Sequence, residues 1–113
     1  MGSRRVVVTG VGLVSCLGHD FNTAIEALRC GKSGVRAMPE WISHGLKSTI
    51  AGAIDDLEPK KQAADLPKRV TSGMSDAALY AVLAALDARD ASGLTGAEIS
   101  SERTSCIIGS GVG

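Results

Sequence analysis

Between Arg4 and Val14 the chain places Val6-Val7-Val8 directly before Thr9-Gly10-Val11-Gly12, with apolar residues at both odd and even positions. A strand with one wet face alternates, whereas a strand covered on both faces does not. The pattern therefore predicts a central parallel strand leaving through a glycine-rich turn. Thr104-Ser105-Cys106-Ile107-Ile108, followed by Gly109-Ser110-Gly111-Val112-Gly113, repeats the design and predicts a second fully buried strand with a similar exit. Two such strands joined through helices imply an α/β layered architecture with a parallel or mixed sheet. A chain that stops at the tip of a buried strand also reads as unfinished, because such a strand needs a neighbour on each side.

Between these strands the helix signals are local. Asp20 or Asn22 is placed to cap a helix carrying Phe21, Ala24, Ile25 and Leu28 on one face, with Gly31 ending it. Lys32 to Glu40 reads as a loop, pinned to the body by Trp41, Ile42 and Leu46. Thr49 to Ile54 predicts a short strand, and Asp55 to Lys61 a solvated turn. Ser72 or Ser75 opens the strongest helix, in which Leu79, Val82, Leu83 and Leu86 share a face, ending between Arg89 and Gly96.

Composition narrows the functional classes. Twelve Lys and Arg balance twelve Asp and Glu for a formal net charge of +0, so no global field favours nucleic acid or an anionic membrane. Aromatic content is 3%, which removes the stacking platforms of single-strand binders. Glycines interrupt the longest apolar run far short of the roughly 20 residues of a membrane span, and no signal peptide is evident; the expected address is cytoplasmic. Cys16, Cys30 and Cys106 match neither a disulfide framework nor a zinc spacing.

Gly10-Val11-Gly12 with Ser15 at the third position approximates a dinucleotide-binding turn, but the helix pattern starts only near Phe21 and no acidic residue ends a second strand at the required distance. A tight turn is favoured over a nucleotide site. Cys16 precedes the helix cap, Cys30 sits at a helix C-terminus where a thiolate is disfavoured, and Cys106 lies in an apolar strand as a small buried hydrophobe. None is assigned as a nucleophile, and His44 reads as a surface imidazole. Lys60-Lys61 and Lys68-Arg69 are the only local concentration of positive charge, a solvated face or a dock for an acidic partner.

Taken in order, Arg5 through Ser15 with Leu17-Gly18, Leu28 with Gly31-Lys32-Ser33-Gly34-Val35, Met74-Ser75-Asp76-Ala77, and Gly109-Ser110-Gly111-Val112-Gly113 resemble the N-terminal part of the elongating β-ketoacyl-[acyl-carrier-protein] synthases. These belong to the thiolase superfamily, and the likeness leans toward its bacterial type I members. Cys16 and the longer Arg89-Asp90-Ala91-Ser92-Gly93 segment depart from the pattern. The resemblance implies an incomplete thiolase-like layered fold, with residues 1–113 forming the first part of the synthase N-terminal domain. It implies a decarboxylative Claisen condensation of an acyl thioester with malonyl-carrier protein in fatty-acid biosynthesis, with acyl carrier protein as partner, a homodimer, and no cofactor or metal. In the family the catalytic cysteine and two histidines follow the Gly-Ser-Gly exit, so no catalytic residue is assigned here. Val112 corresponds to a position lining the acyl pocket, and Lys68 and Arg69 to basic residues that dock the carrier, while Ser72 stands where relatives carry another cation. The alternative is a stand-alone, non-catalytic module that binds carrier protein or a synthase subunit.

Overall fold

The computed structural model describes residues 2–111. In chain order it contains α1 (Phe21–Arg29), β1 (Val35–Ala37), α2 (Pro39–Ser43), β2 (Ile50–Gly52), α3 (Glu58–Ala63), α4 (Lys68–Thr71), α5 (Asp76–Ser92) and α6 (Gly96–Ile99). This is a mixed helical and sheet structure in which β1 and β2 pair antiparallel, Val35 opposite Gly52 and Ala37 opposite Ile50.

The helices begin where local chemistry starts them. Asp20 caps α1, its carboxylate accepting from the Thr23 amide at 3.0 Å and the Thr23 hydroxyl at 2.7 Å. Ser75 caps α5 by accepting from the Ala78 amide, an interaction that contributes about 1 kcal/mol. Gly93, at φ +70°, ends α5 in the left-handed conformation that a residue with a Cβ rarely adopts. The Arg89 to Ser92 departure from the family pattern is thus a continuation of α5. Thr95 and Glu98 close a reciprocal capping box on α6.

These caps predict a response to pH. Hydrogen bonds from Thr23 hold the Asp20 carboxyl below its ordinary value, and bonds from the Thr95 amide and hydroxyl do the same for Glu98. Carboxyls depressed in the folded state contribute stability above their unfolded pKa and lose it as pH falls through the folded value. Below about pH 4, the Cα chemical shifts of the first turns of α1 and α6 are expected to move toward coil, while α5, capped by a neutral hydroxyl, keeps its helical shifts.

The core is small. Leu57, Leu79 and Leu83 are buried, Leu83 at 1% exposure, and Val14, Ile54, Ala64, Leu66, Met74 and Tyr80 pack around them. Val82 and Leu86 are half-buried along the same helix.

Several expectations need correction. The predicted strands over Arg4–Val14 and Thr104–Ile108 are extended but form no ladder, and Val6 and Ile107 are each 93% exposed. A strand exists by its partner's hydrogen bonds, and among the described residues neither segment has a neighbouring strand at that spacing. Cys106 is accordingly exposed rather than buried. The expected loop from Lys32 contains β1, completed only when residues 50–52 return alongside it. Ile42 and Leu46 do not pin the body and are more than half exposed, although Trp41 is half-buried. The turn expected at Asp55–Lys61 contains the start of α3, with Pro59 in its first turn, where a missing amide costs nothing.

Unpaired strands explain the dimensions. A compact chain of this size has a radius of gyration of about 13 Å and an accessible surface of about 5,800 Å². The observed values are 17.5 Å and 9085 Å².

Candidate functional site

The glycine-rich turn was the one place where sequence offered a cofactor site, and its surroundings assign it a different role. The segment from Gly10 to Val14 runs along α5 in the opposite direction. A Cβ on Gly10 would overlap the Ala88 carbonyl oxygen and stand 2.7 Å from the Ser92 amide nitrogen. One on Gly12 would overlap the Ala84 carbonyl oxygen and stand 2.7 Å from the Ala88 amide nitrogen. Both glycines permit backbone-to-backbone packing on the small residues of α5, a role in which no side chain substitutes. The turn is filled by protein, and α1, the next helix in the chain, starts only at Phe21, so the glycines do not open that helix as a phosphate-binding turn would.

Beyond the turn, Ser15 and Gly18 form an isolated bridge. It sets Cys16 against the hairpin, where a Cβ on Gly34 would stand 2.7 Å from the Cys16 carbonyl oxygen and one on Gly52 2.8 Å from its Sγ. The half-buried Cys16 is a packing residue between two glycines. Cys30 and Cys106 are exposed free thiols, and among the described residues no group of three or more His, Cys, Asp or Glu is arranged for a metal ion.

Lys68 and Arg69 are brought side by side on the single turn of α4, both exposed, with Ser72 as its C-cap. Among the described residues neither forms an ion pair. Lys68 borders a groove of about 510 Å³ together with Lys61, Gln62, Thr71, Ser72 and Leu79. Lys61 differs from them: its ammonium donates to Glu58 at 2.8 Å, and that bond raises its pKa above the ordinary value. Exposed pairs of this kind contribute little to stability. The patch thus presents two uncommitted cations and one shared one. Val112 lies outside the described residues.

Sequence reasoning missed Lys60. Its ammonium donates to the His19 carbonyl and to the Asp87 carboxylate of α5, and its side chain is only 14% exposed. The signal was present, because Leu57, Lys60, Lys61 and Ala64 repeat at helical spacing around Pro59, and the solvated-turn reading ignored it.

A second groove, of about 470 Å³ and mostly apolar, is bordered by Gly10, Leu86, Leu94, Ile99 and Ile108. Both extended segments therefore border the same groove beside α5, and no described helix is long and apolar enough to cross a membrane.

Comparison with known proteins places the sequence among carrier-protein synthases. The chain is 36% identical over 110 residues to 3-oxoacyl-[acyl-carrier-protein] synthase 1 of Haemophilus influenzae, covering 97% of this chain and 26% of that protein. It is 34% identical over 113 residues to synthase 2 of Coxiella burnetii, covering 100% and 27% respectively, and 33% identical over 112 residues to synthase 1 of Escherichia coli, covering 97% and 26%. The chain spans about a quarter of the length of these relatives. The family model described as the beta-ketoacyl synthase N-terminal domain matches residues 3–113. With its glycine turn packed on an alanine-rich helix and its motifs in order along the whole match, this chain belongs to the β-ketoacyl synthase family.

Proposed function

We propose that residues 1–113 form the first part of the N-terminal domain of a β-ketoacyl-[acyl-carrier-protein] synthase acting in fatty-acid biosynthesis. The whole enzyme transfers an acyl group from carrier thioester to a cysteine sulfur, releasing the carrier thiol. The C–C bond of malonyl-carrier protein then breaks with loss of CO₂. The carbanion attacks the cysteine thioester, the C–S bond breaks, and the thiolate is regenerated. Histidines and backbone amides stabilising the enolate oxygen suit that chemistry, and a thiolate at a helix N-terminus suits the nucleophile. This chain supplies none of those catalytic groups. It supplies the two extended segments and α5 as part of a thiolase-like layered scaffold, Val112 as a wall of the acyl pocket, and Lys68 and Arg69 as a dock for the acidic carrier. The enzyme works as a cytoplasmic homodimer.

The observation that carries the reading is the match over residues 3–113, supported by the packing of Gly10 and Gly12 on α5. The test is the full-length protein given acyl- and malonyl-carrier protein: release of CO₂ with formation of a β-ketoacyl product is expected. A protein that binds carrier without condensing would favour a non-catalytic binding role.

The docking role has its own test. Exposed, unpaired cations at an interface chiefly steer association. Lys68→Glu with Arg69→Glu is expected to raise KM for carrier-bound substrate about tenfold and leave kcat unchanged. The KM difference is expected to shrink with added salt. An unchanged KM at low salt refutes the patch.

A further inference from the structure

We infer that Lys60 is a positioning residue for the carrier dock, holding the arm that carries Lys68 and Arg69 in place through Asp87 and the His19 carbonyl. The inference rests on the docking role proposed for Lys68 and Arg69.

The arm comprises α3, α4 and the link between them, residues 58–71. Neither helix has a buried residue, and each is too short to be stable by itself in water. Leu57 at its entrance and Ala64 and Leu66 in its link touch the core, which sets distance but, being non-directional, sets orientation poorly. Hydrogen bonds supply direction. Among the described residues, the hydrogen bonds joining this arm to segments distant in sequence are both made by Lys60, to His19 and Asp87. One bond therefore fixes α3 to the turn before α1, and the other fixes it to α5.

The surroundings favour a charged lysine at this point. Asp20, Asp56 and Asp87 border a cavity of about 480 Å³ with Lys60, His19 and Pro59. Without the ammonium, Asp87 would be left half-buried among other carboxylates, and the His19 carbonyl would lose its donor. A partly buried polar group without a partner favours access to water, so the arm would swing to let water in. Lys61, one residue on, reaches only Glu58 within the same arm and cannot replace it. Lys60 does not border the docking groove, which Lys68 lines; it borders a separate cavity.

The experiment uses the full-length synthase. Lys60→Met and Asp87→Asn are each expected to raise KM for acyl-carrier substrate about tenfold, with kcat unchanged. KM for the same acyl group on free pantetheine, which has no carrier to dock, is expected to stay constant. Lys60→Arg, which keeps a long cationic donor, is expected to restore the KM. Should Lys60→Met fail to fold, Asp87→Asn gives the same readout, and hydrogen exchange should quicken in residues 61–71 while α5 stays protected. An unchanged carrier KM in Asp87→Asn, or exchange quickened equally in α5, overturns the inference. The double charge reversal at Lys68 and Arg69 separates the two levels. If it raises KM while the Lys60 and Asp87 variants do not, positioning fails and docking stands; if it has no effect, docking itself fails.

Discussion

Gly12→Val in the full-length protein is expected to cost more than about 3 kcal/mol, the upper range for overpacking a close contact, and to remove most of the folded population. The magnitude follows from what the new Cβ would strike. The obstacle is the backbone carbonyl of Ala84 and the amide of Ala88, atoms of a regular helix that have no rotamer to escape into. Either α5 shifts as a unit or the Gly10–Val14 segment lifts away. Each outcome draws Val14 from the cluster around Leu79 and Leu83. Gly10→Val should act similarly, because Ala88 and Ser92 stand in the same relation to it. Gly73→Ala is the control: nothing lies within 4 Å of its Cβ position, so a change within about 0.5 kcal/mol is expected. Urea unfolding midpoints of the variants check this, and a Gly12→Val midpoint equal to that of the parent would show that helix and turn are not in contact.

The isolated 113-residue chain is expected to melt without a cooperative transition, to bind a hydrophobic dye strongly and to self-associate at micromolar concentration. Its surface of 9085 Å² compares with about 5,800 Å² for a compact protein of this mass. The excess includes two extended segments whose valines and isoleucines face solvent. Exposed strands with unpaired amides and carbonyls template pairing with other chains, and Val6-Val7-Val8 and Ile107-Ile108 are the segments that would do so. Among the described residues, five buried apolar side chains are few against the conformational entropy of a chain this long. Analytical ultracentrifugation with differential scanning calorimetry decides the matter. A monodisperse species with a sharp heat-absorption peak would contradict the expectation and favour a self-sufficient binding module.

Much of the helical structure was legible because its determinants are local. Asp20 and Gly31 bound α1 within a dozen residues, although the helix buries Ala24 and Ala27 while Phe21 and Leu28, expected on its apolar face, stay exposed; Ser75 with Leu79 and Leu83 specifies α5 in the same way. Hairpin β1–β2 was half legible: residues 49–54 read as strand, but their partner at 35–37 lay hidden in a loop-like composition. The dock was legible as adjacent cations, whereas the anchor at Lys60 was not. Neighbouring lysines look alike in a sequence, and only the helical phase of α3 turns one inward to Asp87 and leaves the other on Glu58.

The amino-acid sequence by itself determined the helix boundaries set by caps and glycines, the membership of the family, and the position of the cation pair, because each depends on residues near one another or on motif order. The tertiary structure decided why Gly10 and Gly12 are glycines, which lysine is an anchor, and whether Val6–Val8 and Ile107–Ile108 become strands. Those outcomes depend on what lies across space: a helix backbone more than 70 residues away in the chain, a carboxylate on another helix, and a hydrogen-bonding partner without which an apolar, β-branched segment stays an extended chain.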